Sequence, residues 1–95
     1  MNRYELKPTD GRKSFYGKAI VEVDDINGTR TLYSYDVKIM SVDDRTGNLH
    51  RFWDGYAECG FNGRTTYKWS ATTGRHIAAF CGLNKADFLA LPLEQ

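Results

Sequence analysis

The alternation of apolar and polar residues changes its period once along the chain, near residue 70. Before that point, alternation with a period of two, rich in β-branched and aromatic residues, predicts four strands. The predicted strands are 14–23, 29–42, 49–54 and 64–69. Asn27-Gly28 and Asn62-Gly63 supply the positive φ angles of tight turns and predict hairpins.

After residue 70 the apolar residues recur at helical spacing. Ser70, Thr72 and Thr73 can each cap a first helix, and Gly82 is a suitable residue just beyond its end. Asn84 can cap a second helix over 85–91, which Pro92 would end. We therefore expect an α+β fold, a four-stranded antiparallel β-meander with two short C-terminal helices packed on one face.

Length and composition limit the classes of protein that fit this pattern. The chain has 95 residues and a net charge of +1, which predicts one domain over 14–95 behind a flexible leader, 1–13. No apolar run approaches the roughly 18 residues of a membrane span, and no secretory h-region precedes residue 14. We expect a cytoplasmic protein with no membrane partner, and nothing in the pattern demands self-association.

Catalysis and metal binding find little support in the sequence. Cys59 and Cys81 form no CxxC pair, and His50 and His76 are not at zinc-finger spacing. No nucleophile elbow or HExxH motif is present. We expect no metal, no cofactor and no catalytic residue. The open alternative is a nucleophile, one of Ser70, Thr73 and Cys81, paired with His76 and a carboxylate such as Asp54.

The segment 69–76 is the densest group of polar side chains at the predicted strand-to-helix junction. A helix N-terminus presents N–H groups without helical partners, and nearby hydroxyl and basic side chains add donors. The junction and an aromatic stripe predict a non-enzymatic binding module that docks a macromolecular partner, a protein in the first instance. The stripe comprises Tyr33, Tyr35, Phe52, Trp53 and Tyr56. Alternatively, the hydroxyls only cap the helix and His76 fills a gap beside the sheet.

A second alternative is nucleic-acid binding by the C-terminal third. Ten of the twelve acidic residues lie in 1–58, and none lies between Cys59 and Ala86, where basic and aromatic residues alternate. Such a mixture can contact phosphates and stack on bases. The candidate binding residues for both hypotheses are Arg64, Lys68, Trp69, Ser70, Thr72, Thr73, Arg75, His76 and Trp53.

Two motifs carry a resemblance to a known family. A Ser34-Tyr35 strand followed by the helix start Ser70-Ala71-Thr72-Thr73-Gly74-Arg75-His76-Ile77 resembles an uncharacterised family of small proteins. Its members come from phages, plasmids and genomes of Gram-positive bacteria, and the resemblance covers roughly residues 31–82. It implies a bacterial or phage cytoplasm and an accessory role in a mobile element. The family carries no assigned reaction, so no catalytic residue is implied.

Overall fold

Strands precede helices along the chain, as the change of period predicts. The structure is a computed structural model that describes residues 2–7, 17–61 and 64–94, except for the side chains of 57–61 and 64–67. Its elements are β1 (Asn2–Glu5), β2 (Ala19–Asp24), β3 (Thr29–Ser34), β4 (Val37–Asp43), β5 (Leu49–Arg51), β6 (Tyr56–Phe61), β7 (Arg64–Trp69), α1 (Ala71–Cys81) and α2 (Lys85–Ala90).

The strands form one sheet and one separate ribbon. Strands β1 to β5 pair antiparallel in sequential order, and β6 pairs with β7 in a two-stranded ribbon. The α+β class is confirmed, but the four-stranded sheet is wrong. The predicted strand 29–42 is two strands, β3 and β4, joined by a two-residue turn at Tyr35 and Asp36. The predicted fourth strand is β7, which pairs with β6 and not with the meander.

Strand β1 lies inside the segment expected to be a leader. Its residues pair with β2 from Asn2 opposite Val23 to Glu5 opposite Ile20. The Leu6 N–H then donates to the Ala19 carbonyl at 2.8 Å. Residues 2–5 are therefore a sheet strand, whereas 8–13 lie outside the described residues.

Both helices begin and end close to where the sequence predicts. Ser70 Oγ accepts the Thr73 N–H, and Gly82, at φ 78°, donates its N–H to the Ala78 carbonyl. Asn84 Oδ1 accepts the Asp87 N–H at 2.8 Å and begins α2. None of the helices in the described ranges has the length and apolar character needed to cross a membrane.

The core lies between the sheet and the two helices. Its buried residues are Ala19, Val21, Leu32, Ile39, Met40, Val42, Ile77, Phe80 and Phe88. Cys81 is a half-buried free thiol packed against this cluster. Burial raises the pKa of the Cys81 thiol, so the sulfur is an uncharged packing group at neutral pH.

A buried arginine fixes the chain where it leaves the sheet after β5. The Arg51 guanidinium donates to the carbonyls of Trp53 at 2.9 Å and Asp54 at 2.6 Å. It also donates to the carbonyls of Leu89 at 3.1 Å and Leu91 at 2.9 Å, at the end of α2. Arg51 therefore joins the 52–54 segment to α2, and this segment forms one wall of the site described next.

Candidate functional site

A cleft of about 420 Å³ opens beside the first turn of α1. Three parts of the chain enclose it: the β3–β4 hairpin, the segment after β5, and the start of α1. The lining residues are Ser34, Tyr35, Val37, Ile39, Trp53, Tyr56, Ser70, Thr72 and Thr73. We call this concavity the α1 cleft.

Exposed apolar side chains form the rim of the α1 cleft. Tyr35 is 51% exposed, Val37 47% and Tyr56 41%. Behind them Trp53 is half-buried, with its ring 5.6 Å from that of Trp69 and 6.0 Å from that of Phe88. The rim therefore offers apolar surface to a ligand, while Trp53 is supported from behind by aromatic packing.

The hairpin at the cleft has an unusual backbone. Tyr35 has φ 51° and Asp36 has φ 66°, a left-handed pair that a two-residue turn requires and that glycine or asparagine usually supplies. A bulky residue in this region costs about 1–2 kcal/mol. The Tyr35 ring lies 5.9 Å from the His76 ring, so α1 supports the strained turn from below.

A buried chain of polar side chains connects β3 to α1 beneath the cleft. Ser34 Oγ lies 2.8 Å from His76 Nδ1 and 3.0 Å from Thr73 Oγ1. All three side chains are buried, and that of His76 is fully so. Burial, and secondarily the charge of Arg75, lowers the pKa of His76, so its ring is neutral at pH 7.

The burial of His76 argues against the hypothesis that this side chain contacts a ligand. Thr73, His76, Ile77 and Phe80 lie on the side of α1 that is buried, because they recur at helical spacing. The alternative, that His76 fills a gap beside the sheet, is the one that the geometry supports. His76 contributes to the site by holding Ser34, and not by contacting a ligand.

The first turn of α1 lies at the cleft wall. Ser70 Oγ accepts the Thr73 N–H at 3.2 Å, so of the three candidate caps it is Ser70 that caps α1. Thr72 is exposed, and the first turn contains no acidic residue. The positive end of the helix dipole is therefore not neutralised by an acid of α1 itself, and it favours an electron-rich group in the cleft.

The other predicted site residues do not line the α1 cleft. Trp69 is half-buried against Trp53 and Phe88, Arg75 is half-buried in α1, and Lys68 is exposed on β7. The side chain of Arg64 lies outside the described residues. The structure thus brings Trp53, Ser70, Thr72 and Thr73 together. It adds Tyr35 and Tyr56 of the predicted aromatic stripe and three residues that neither prediction contained, which are Ser34, Val37 and Ile39.

A second cleft, of about 490 Å³, continues from the first. Its lining residues are Val37, Lys38, Phe52, Trp53, Asp54, Tyr56 and Leu93, of which Val37, Trp53 and Tyr56 also line the α1 cleft. The Lys38 ammonium lies 4.1 Å from the centre of the Phe52 ring. The predicted strand 49–54 is shorter in the structure: β5 ends at Arg51, and Phe52 and Trp53 after it both line this cleft.

A family model matches residues 4–89, and its members form a family of unknown function, DUF8033. The chain belongs to this family. The match includes every residue that lines the α1 cleft, so the cleft is part of the DUF8033 domain itself. Leu93 of the second cleft lies beyond the matched range. No curated protein and no solved structure matches this DUF8033 chain.

Metal binding has no support in the part of the DUF8033 chain that the structure describes. Within it, no three His, Cys, Asp or Glu side chains are grouped so that they could hold an ion. His50 and Glu94 form a surface pair, with His50 Nδ1 2.6 Å from Glu94 Oε2. This pair fastens the end of the chain to β5.

Proposed function

We propose that this DUF8033 protein is a small non-enzymatic binding domain that takes a segment of a partner protein into the α1 cleft. The observation that carries the proposal is the clustering of exposed apolar side chains at two joined clefts. Among the described residues, six large apolar side chains are exposed. Four of them, Tyr35, Val37, Tyr56 and Leu93, line these clefts. Contiguous exposed apolar surface in a concavity is typical of interaction sites.

The mixture of groups in the α1 cleft favours a polypeptide ligand. Tyr35 and Tyr56 combine apolar area with a hydroxyl, as residues at protein interfaces often do. Thr72 and the first turn of α1 offer donors to a carbonyl or carboxylate of the partner. A peptide segment with an apolar side chain and a nearby oxygen acceptor would satisfy both walls of the cleft.

The states of the candidate nucleophiles support a non-enzymatic function. Ser70 Oγ is occupied by capping α1, and Thr73 is buried against Ser34. Ser34 is only 2% exposed and its hydroxyl lies between two partners, so it has little access to a substrate. Burial raises the pKa of Cys81 and disfavours its nucleophilic thiolate.

The described geometry offers no specific observation in favour of the nucleic-acid hypothesis. A stacking platform needs an exposed ring face, but the Trp69 ring packs against Trp53 and Phe88 and has the Lys85 ammonium 5.7 Å from its centre. His76, a second residue of that hypothesis, is fully buried. Single-stranded DNA and RNA therefore enter the test below as competing ligands.

The cellular compartment and the biological role of the protein are also proposals. A bacterial or phage cytoplasm, with an accessory role in a mobile element, is supported by the resemblance of the Ser34-Tyr35 strand and the 70–77 helix start. The free thiol of Cys81 is compatible with a reducing compartment.

Selection of peptides tests the function directly. The full chain is immobilised and panned against a random peptide library displayed on phage, and enriched peptides are synthesised and titrated while Trp fluorescence is recorded. Because Trp53 lines both clefts, we expect saturable changes in its emission, with Kd values in the micromolar range typical of short peptides. Oligonucleotides of 20 residues are titrated in parallel at low and moderate salt.

Three variants locate the binding. Tyr56→Ala removes a rim ring, and Thr72→Glu places a larger charged side chain in the cleft wall while suiting the N-terminus of α1. We expect each to weaken peptide binding at least tenfold. Tyr4→Ala is the matched control, because Tyr4 is 44% exposed on β1 and Tyr56 is 41% exposed. Failure to enrich peptides, or equal effects of Tyr4→Ala and Tyr56→Ala, would refute the proposal. Tight binding of oligonucleotides with a steep salt dependence would favour the alternative.

A further inference from the structure

The β3–β4 hairpin determines which way its main-chain groups point. Ser34 and Val37 are opposite each other and flank the two-residue turn, and such a closing pair exchanges both of its N–H···O bonds. On the other side of β3, the Tyr35 N–H donates to the Lys18 carbonyl at 2.9 Å. Main-chain groups alternate in direction along β3, so those of Ser34 bond to β4 and those of Tyr33 bond to β2.

The next pair, Tyr33 opposite Lys38, is consequently the non-hydrogen-bonded kind. The N–H and C=O of Lys38 point away from β3, toward the outer edge of β4. Strand β5 pairs with β4 only at Met40, Ser41 and Val42. The following N–H groups, those of Phe52 and Trp53, both donate to the Ile39 carbonyl, at 2.8 and 3.2 Å. The chain then turns away, and β5 does not reach Lys38.

This outer edge of β4 faces the second cleft. Val37 and Lys38 form one side of that cleft, and Trp53, Asp54 and Tyr56 form another. A strand edge inside a groove presents a main-chain donor and acceptor together with pockets for side chains. Peptide-binding domains that add a strand to a sheet use this combination, in which main-chain bonds supply affinity and pockets supply specificity.

We infer that the partner segment is an extended peptide that pairs with the main chain of Lys38 and continues the sheet at the outer edge of β4. The inference rests on the proposed function and specifies its ligand. Alternate side chains of an extended peptide lie about 6.6 Å apart on one face. Two apolar side chains of the peptide, at positions i and i+2, would therefore occupy one cleft each. One would enter the α1 cleft and the other the second cleft, on the two sides of the residues that line both clefts. A helical segment could not pair with the strand edge.

Two kinds of change, one in the protein and one in the ligand, each remove a proposed main-chain bond. Lys38→Pro deletes the outward N–H, and proline is tolerated on a strand edge whose N–H is not part of the ladder. Lys38→Ala is the matched control, since it removes the same ammonium contact with Phe52 but keeps the N–H. In the ligand, each N–H of the strongest enriched peptide is methylated in turn.

The expected result is a loss of about fivefold in affinity for Lys38→Pro and for one or two N-methyl positions, as one lost main-chain bond implies in each case. Lys38→Ala should change affinity less than threefold. The N-methyl series needs no change to the protein, so it decides the matter even if Lys38→Pro lowers stability. If peptides bind in a Tyr56-dependent manner but tolerate methylation at every position, the added strand is refuted while the binding function stands. If no peptide is enriched, both are refuted.

Discussion

Replacing Arg51 by methionine removes the contacts that hold the 52–54 segment to the end of α2. Methionine keeps an unbranched apolar stem but no donor, so four carbonyl groups lose their guanidinium partner. A net contribution of about 1 kcal/mol for each hydrogen bond gives a loss of about 4 kcal/mol. Arg51 is only 9% exposed, so water does not readily replace the guanidinium in the folded state. A domain of 95 residues has a total stability of about 5–14 kcal/mol, so the loss is a large fraction of it.

Urea denaturation at pH 7, followed by far-UV circular dichroism and by tryptophan emission, measures this loss. Arg51→Lys keeps the charge without the planar fork, and we expect it to lose about 2 kcal/mol. Arg45→Met is the matched control, because Arg45 is exposed and donates to one carbonyl, that of Ile26 at 2.7 Å. It should lose less than about 1 kcal/mol. An Arg51→Met protein no less stable than Arg45→Met would refute the claim that the guanidinium holds this segment.

Three further variants test the backbone and the buried ring. Burial and Arg75 lower the pKa of His76 below 6.5, so the unfolded chain binds a proton first as the pH falls. The contribution of the neutral His76 ring to the free energy of unfolding should be complete above about pH 6.5 and decline below it. His76→Gln should reduce that decline, which is measured as the urea midpoint at a series of pH values. Asp36→Gly should raise the free energy of unfolding by about 0.5–1 kcal/mol, since φ 66° suits glycine. Gly55→Ala should lower it by about 2 kcal/mol, because φ is +103° and the new Cβ would lie 2.5 Å from Leu89 Cδ2.

Each of these three has an outcome that contradicts it. An unchanged pH dependence in His76→Gln would mean that other groups cause the decline, and His50→Gln serves as the exposed control. A loss of stability in Asp36→Gly would mean that the aspartate side chain contributes more than its backbone strain costs. A neutral Gly55→Ala would show that the turn at residue 55 can relax.

The two C-terminal helices were predictable because the sequence features that specify them are local. Ser70, Gly82 and Asn84 cap or end a helix through bonds to residues within four positions. The spacing of Ile77 and Phe80 then predicts which side of α1 is buried. Such features depend on neighbours in sequence, and the structure confirms them.

The sheet was less predictable because its pairing is non-local and one turn lacks the usual residues. Tyr35 and Asp36 stand where a two-residue turn usually has glycine or asparagine, so the pattern predicts one strand over 29–42. The ribbon of β6 and β7 pairs with itself, and period-two alternation carries no information on which strand is the neighbour. The α1 cleft could not be predicted without knowing the β3–β4 turn and the separate β6–β7 ribbon. The hairpin, for example, brings Tyr35 and Val37 to α1.

The β3–β4 hairpin is also where the backbone preferences of the residues and the observed conformation disagree most. This disagreement has a physical explanation. A turn of Asn and Gly would adopt this backbone with less strain, yet Tyr35 stands there with φ 51°. Its ring packs against the ring of His76, which is hydrogen-bonded to Ser34 beneath the cleft, and half of the surface of Tyr35 stays exposed. Strain that the surrounding structure maintains is concentrated at functional sites in proteins. The tyrosine thus gives the domain a supported aromatic surface at the mouth of the α1 cleft, beside the open edge of β4, which a less strained turn would not provide.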